Sequence, residues 1–296
     1  MKLPASLLAP LALALLASAG PAQADTLSKI AESGQITLAY RESSAPFSYL
    51  QAPGQPIGFS VEIANAVADA ARKQLGKPDI KIAWMPVTSQ NRIPLVQNGT
   101  VDLECGSTTN NSARGKEVAF AINYFYTGTR LLTKKSSGVK NYADLAGKSI
   151  STTTGTTNLQ VLRKYDAEKK LGMQFTFGKD HADSFLLVES GRALAFGMDD
   201  ILLYGLKANA KTPDEYEVTG DALQVEPYAC MLRKDDAGFK TLVDGVIGGM
   251  MKTGAFEKLY DKWFLQPIPP KNMPLNVPMS AELRANITGQ SDKPAM

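Results

Sequence analysis

SQNRIPLVQNGTVDLECGSTTNNSAR, Ser89 to Arg114, reads as a short helix, a glycine turn, a strand, and a polar loop that ends in an arginine. Arg92 to Asn98 carries the helical part, with Ser89 within N-cap reach and Pro94 in the first turn, where proline is tolerated. Gly99 sits where a C-cap glycine belongs. Val101, Leu103 and Cys105 then alternate with Asp102 and Glu104, the period of a strand. The loop GSTTNN and Arg114 follow. A polar loop past the carboxyl end of a strand, with free backbone N–H groups and a fork-shaped guanidinium, suits a carboxylate. Taken alone, the same residues also make an ordinary surface turn with a solvated arginine.

Working outward, the residues before this stretch repeat its alternation of elements. Thr26 to Ser33 is expected as a helix stopped by Gly34, Gln35 to Tyr40 as a strand, and Glu42 to Tyr49 (ESSAPFSY) as a loop. Gly58 to Leu75 has Ile63, Ala66, Val67 and Ala70 at helical spacing and ends at Gly76. Asp79 to Met85 is the next strand. Strands alternating with helices predict an α/β unit with a parallel sheet.

A second such unit begins with the strand pattern Tyr124 to Lys135. It continues through a short helix at Tyr142–Leu145, the strand GKSIS, and TTTGTTNLQVLRKY, a Gly/Thr turn running into a helix. Unpaired N–H groups at that helix start make an anion site, or Thr157 simply caps the helix. Gln174–Phe177 is a strand, Ser184–Glu189 a helix, and ALAFGMDD a strand ending in Asp199 and Asp200. Tyr228 to Asp236 is expected as one strand, followed by helices over Phe239–Met251 and Ala255–Phe264. The tail after Gln266 is punctuated by proline and is expected to wrap the surface without forming elements.

Met1 to Ala24 has the pattern of a secretory signal peptide: Lys2, the apolar run Leu7 to Ala17, and Ala22-Gln23-Ala24 as cleavage site. The remainder is expected to be soluble and exported. Apolar residues at 44% and charged ones at 21% are ordinary for a globular chain, and a net charge of +3 is too weak to suggest a nucleic-acid partner. Cys105 and Cys230 are the two cysteines, and in an oxidising compartment an even pair favours a disulfide over two buried thiols. One histidine and two distant cysteines speak against a metal site, and no cofactor motif is present.

The order of these motifs resembles the periplasmic solute-binding proteins of ABC transporters that take polar amino acids. The early strand with its APF loop, VDLECGSTTNNSAR, YTGTRLLTKK, YADLAGKSISTTTGTT, GRALAFGMDD and FEKLYDKWF carry the resemblance, which covers nearly all of the chain past Ala24. SQNRIP, ECGSTTNN, GTRLLTKK, MDD and IPPKN are similar to the glutamate- and aspartate-binding branch of that family, in which a histidine stands at the place of Tyr40.

The resemblance implies a two-lobed periplasmic-binding-protein fold of type II, with two hinge strands and the ligand in the interlobe cleft. The first lobe would run over 25–125 and resume over 223–296 with the C-terminal tail; the second would be 126–222. Cys105 and Cys230 then share a lobe, which further favours their pairing.

The resemblance also implies a ligand set. Arg114 would pair with an α-carboxylate, helped by the Thr109 N–H and by Thr157; Asp199 would take the ammonium, helped by Ser107. Asp199 alone could equally cap a helix. Arg41 stands where members that bind basic amino acids place an acid, and Ser44 replaces a stacking aromatic. Three arginines, Arg41, Arg92 and Arg114, against the single Asp199 predict an excess of positive charge that suits a ligand with a second carboxylate. Arg41 and Arg92, with Ser89 and His181 as secondary donors, would hold that group. The implied partners are L-glutamate or L-aspartate and the permease subunits of an ABC transporter, with the chain acting as a monomer. An enzyme on the same fold, of the dehydratase kind, is the competing class; the chain contains no GxSxG, no HExxH and no Ser/His/Asp set in catalytic context. A sensor module is the third, and no kinase or membrane-spanning segment accompanies the motifs.

Overall fold

The computed structural model describes residues 25–295; the expected signal peptide, Met1 to Ala24, lies outside them. The Thr26–Ser33 helix starts on Asp25, whose side chain accepts from the Ser28 N–H, and stops at Gly34 with φ 67°. The chain turns there directly into the strand Gln35–Tyr40. The first sheet has the order Lys81–Pro86, Gln35–Tyr40, Leu103–Glu104, Met231–Arg233, Val118–Phe120. Its first three strands are parallel, and Met231–Arg233 runs against both neighbours. The second sheet has the order Gln174–Gly178, Ser149–Thr153, Ala195–Asp199, Phe125–Lys134, Tyr216–Thr219. Again the first three strands are parallel.

Two strands join the resulting lobes. Phe125–Lys134 carries the chain from the first sheet to the second, and Val225–Tyr228 brings it back. They pair antiparallel, Phe125 opposite Tyr228 and Gly128 opposite Val225. At their base Phe47, Phe59, Phe125, Tyr228, Tyr260 and Phe264 make one aromatic cluster, with Phe125 stacked on Phe264 at 5.1 Å. The helix Ala255–Tyr260 and the π-helical turn Asp261–Leu265 supply its last members, because Phe256, Leu259, Tyr260, Trp263 and Phe264 recur at helical spacing and are all buried. Among the described residues no helix is long and apolar enough to cross a membrane.

Four expectations change. The segment Glu42 to Tyr49 is not merely a loop: Ser43–Ser44, Ser48–Ala52 and Gln55–Ile57 form a small antiparallel sheet. Its signal was Pro53-Gly54, which occupies the centre of the connecting turn, with Gly54 at φ 71° as that position of a type II turn requires. Asp102 and Glu104, expected on an alternating face, are both buried, because helices cover both sides of a parallel sheet. The strand expected over Tyr228–Asp236 breaks at Ala229-Cys230, where the chain exchanges one pairing partner, Phe125–Lys134, for the first sheet. The tail contains a helix, Ala281–Gly289, started by Ser280, whose side chain accepts from the Leu283 N–H.

Cys105 and Cys230 are joined as a disulfide. Cys105 directly follows the strand Leu103–Glu104, and Cys230 lies between the two short strands of the return path.

Candidate functional site between the lobes

The expected site residues come from the same structural place. Arg41 follows Gln35–Tyr40; Ser89 follows Lys81–Pro86; Ser107 and Thr109 follow Leu103–Glu104. Across the gap, Thr157 follows Ser149–Thr153, His181 follows Gln174–Gly178, and Asp199 ends Ala195–Asp199. Each sits at the carboxyl end of a parallel strand, where open α/β sheets leave a crevice. The two crevices face one another across a small cavity of about 10 Å³, lined by Ser89, Arg92, Ser107 and Thr109 from one lobe. Thr156, Thr157, Asn158, His181, Met198, Asp199 and Leu202 line it from the other. Seven of the nine residues expected to hold a ligand are therefore on its wall. Arg41 lies behind it, against His181, and Arg114 is at its rim, in the groove that also contains Gly155 and Gln160.

At one end the guanidinium groups of Arg41 and Arg92 are buried. Arg92 Nη1 donates to the Ser107 carbonyl at 3.1 Å and to Thr108 Oγ1 at 2.5 Å, and the Thr108 hydroxyl donates in turn to Glu104 Oε2. Glu104 lies 3.9 Å from Arg92. Burial pulls the Arg92 guanidinium down and Glu104 partly restores it. Arg41 Nη2 donates to Asp180 at 2.9 Å and to His181 Nε2 at 3.3 Å. An arginine cannot accept, so His181 Nε2 is the acceptor and Nδ1 carries the proton, donated to Thr153 Oγ1 at 3.0 Å. His181 is thus a neutral imidazole: burial, then the adjacent Arg41 charge, pull it down to about 3. It was expected as a donor to the ligand; here its Nε2 faces Arg41 instead. Four buried donors at this end have no partner, Arg41 Nε and Nη1, Arg92 Nε and Ser89 Oγ, and the acceptor Glu104 Oε1 has none either.

Ser89 therefore does not cap the Arg92–Gln97 helix. Asn91 stands at the cap position, and Thr88 and Asn91 exchange hydrogen bonds in front of it. Nor does Thr157 cap its helix; Thr156 does, accepting from the Leu159 N–H. The Thr157 hydroxyl donates to Glu226 at 2.6 Å instead, so it does not offer its proton to an α-carboxylate as expected.

At the other end, Asp199 is buried and does not cap the helix it precedes. Asn158 Nδ2 donates to its Oδ1 at 2.8 Å, and the Tyr228 hydroxyl donates to its Oδ2. Glu226, one position into the return strand, accepts from Thr109 Oγ1 at 2.8 Å and Thr157 Oγ1 at 2.6 Å. Burial and then the neighbouring Glu226 push the Asp199 carboxyl up to about 7, against the hydrogen bonds from Tyr228 and Asn158. Arg114 donates to the Thr109 carbonyl at 3.0 Å and to the Gly155 carbonyl of the other lobe at 3.2 Å.

The expected charge balance changes with these partners. Against three arginines the structure sets Asp199 and three carboxylates that were not expected: Glu104, Asp180 and Glu226. No net positive field remains to select a ligand. Selection falls to where unpaired donors and acceptors point.

The lobes touch along the rim. Asp180 of the second lobe takes Arg41 and the Ser43 hydroxyl of the first, the latter at 2.7 Å. Burial pushes the Asp180 carboxyl up, but Arg41, His181 and Ser43 outweigh it and bring it down to about 2. A Cβ on Gly155 would meet Gln90 Cα of the opposite lobe at 2.6 Å, so only glycine lets the backbones approach this closely here.

Residues 36–266 match the model of the bacterial extracellular solute-binding proteins, family 3. The chain is similar to the L-glutamate/L-aspartate-binding protein of Pseudomonas aeruginosa, 51% identical over 100% of this chain and 99% of the relative. It is also similar to the glutamate/aspartate import solute-binding protein of Escherichia coli, 49% identical over 95% and 96%. Among solved structures, the solute receptor for L-cysteine of Neisseria gonorrhoeae superposes with TM-score 0.71 at 26% identity, covering 88% of this chain and 98% of that one. A mutant of ArgBP from T. maritima superposes with TM-score 0.71 at 26% identity, covering 80% and 98%.

Proposed function

The chain belongs to the bacterial extracellular solute-binding proteins, family 3, and we propose that it captures L-glutamate or L-aspartate between its lobes and delivers it to an ABC-transporter permease. It is a binding protein, not an enzyme. The observation that carries the ligand class is the set of unpaired, buried donors on Arg41, Arg92 and Ser89. Buried donors without partners cost about 1–3 kcal/mol each, and a carboxylate, which only accepts, satisfies several at once. In this proposal the side-chain carboxylate sits there, while Arg114 and the Thr109 N–H hold the α-carboxylate at the opposite rim and Asp199 takes the ammonium. The protein would work in the periplasm as a monomer, with lobes 25–125 plus 223–296 and 126–222. Calorimetry with each of the twenty amino acids tests it: glutamate and aspartate should bind and be recovered unchanged. Binding of neutral or basic amino acids in their place would overturn the proposal.

A ligand held by both lobes stabilises their contact. Small-angle scattering should show a smaller radius of gyration with saturating glutamate than without. Gly155→Ala, by pressing a methyl group against Gln90, should keep the liganded protein larger and weaken binding by about tenfold or more. An unchanged affinity and radius in Gly155→Ala would show that the approach at Gln90 is no part of closure.

The raised Asp199 carboxyl predicts a pH dependence. An ammonium binds the ionised carboxylate, and in the free protein that form is complete only above about 7. Binding at lower pH must expel a proton, so affinity should fall as pH drops, approaching about tenfold per unit below that value. Asp180 and His181 ionise near 2 and 3 and do not contribute between pH 8 and pH 5. Calorimetry of glutamate binding in two buffers of different ionisation heat should register proton release at pH 6 and little at pH 8.

A further inference from the structure

Glu226 lines no wall of the cavity, yet it controls two residues that do. Its Oε2 receives the hydroxyl protons of both Thr109 and Thr157, one from each lobe, while Gln224 Nε2 donates to Oε1 at 3.3 Å. The two hydroxyl oxygens lie 3.3 Å apart. A threonine hydroxyl has one proton and two lone pairs. With both protons drawn to the carboxylate, each oxygen presents only lone pairs to the cavity beside Asp199. Such a pocket matches an ammonium, which only donates, and repels a group that brings lone pairs of its own.

We propose that Glu226 is the positioning residue that makes the ligand's α-ammonium obligatory, by turning Thr109 and Thr157 into acceptors so that an amino dicarboxylate enters and the same dicarboxylate without its amine does not. This rests on the function proposed above and adds the discrimination against desamino acids. Four charged or titratable groups face Asp199: Glu226 and Tyr228 from the return strand, Asp200 from the following helix, and Arg114 from the opposite lobe. Glu226 thus acts on the ammonium pocket twice, through the threonine protons and through its charge.

Glu226→Gln separates this role from a structural one. A carboxamide accepts from one threonine but donates to the other, whose own proton then turns toward the cavity. Calorimetry with L-glutamate and with glutarate, its desamino analogue, supplies the test. In the parent protein glutamate should bind and glutarate should be weaker by a hundredfold or so. In Glu226→Gln the gap should narrow by about tenfold or more, mostly through loss of glutamate affinity. The acid limb of glutamate binding should also move to lower pH, because Asp199 loses a like charge. Thr157→Val, which removes a hydroxyl and keeps the shape, should narrow the same gap without moving the acid limb; it decides the matter if Glu226→Gln does not fold. A gap that stays at the parent value in both variants overturns the inference while leaving glutamate recognition in place. Failure of the parent protein to bind glutamate would instead overturn the function on which it rests.

Discussion

Arg92→Ala should lose roughly two to three decades of affinity for L-glutamate and about one decade or less for L-glutamine. Arg92 Nη1 is already engaged by Ser107 and Thr108, so the rest of the guanidinium is left for a ligand, and its buried Nε has no partner, like Ser89 Oγ. A carboxylate offers acceptors in every direction, whereas the glutamine amide must point its own NH₂ at one of these donors. Removing Arg92 removes what distinguishes the two. Glu104 complicates the variant. It is buried, its Oε1 lacks a hydrogen-bond partner, and Arg92 lies 3.9 Å away. Stranding it should lower stability by about 3–5 kcal/mol and set a negative charge near the ligand's distal carboxylate. Arg92→Ala with Glu104→Gln should recover the stability and keep the narrowed preference. Arg114→Ala should weaken glutamate and glutamine alike, since both carry the α-carboxylate. Calorimetry of three variants with two ligands decides it: equal losses in Arg92→Ala would mean that Arg92 shapes its lobe and does not read the side chain.

The sequence spoke most clearly where one physical signal governed one element. Gly34 and Gly76 end their helices in the left-handed conformation, and the apolar spacing between caps marked Phe59–Leu75. It was silent where two elements compete or where a partner is remote. Ala281–Gly289 lies beyond a proline-rich run whose turns masked the Ser280 cap. Asp102 and Glu104 looked like the polar face of a half-exposed strand, yet Asp102 accepts from Lys29 and the Thr37 N–H in the interior. Periodicity names a face only when one face meets water. The site was legible on its donor side, because arginine and threonine beside strand ends stand out in a single chain. The acceptor side was not. Asp180 is 139 positions from Arg41, and Glu226 is 117 from Thr109, and nothing local ties either carboxylate to its partner. Charge counted over half of a site left out its acceptors: the orphaned N–H groups, and no excess of positive charge, are what the proposed second carboxylate would answer.

Replacing both Cys105 and Cys230 with alanine should lower the unfolding free energy by about 2–5 kcal/mol, while glutamate affinity changes by less than about tenfold. The bond closes a loop with a sequence separation of 125, long enough that opening it gives the unfolded chain much additional freedom. In the folded state it has help. The Ser60 hydroxyl donates to the Cys105 carbonyl and the Ala121 N–H to the Cys230 carbonyl, so backbone positions around both residues are fixed without sulfur. Leu103–Glu104 and Met231–Arg233 are moreover adjacent strands, paired immediately beside the bond, and Thr109 bridges to Tyr228 beyond it. Ser107, two residues past Cys105, and Tyr228, two before Cys230, should therefore keep their places in the site. Alanine is the right replacement because serine would bury two hydroxyls among Phe59, Tyr124 and Ile122 of the same core. Urea unfolding should show a lower midpoint and a steeper dependence on denaturant, since the unfolded chain without its cross-link exposes more surface. If midpoint and slope both stay within error of the parent, strand pairing alone holds the two segments. A large loss of glutamate affinity at unchanged stability would mean instead that the bond positions the Ser107 and Tyr228 ends of the cleft directly.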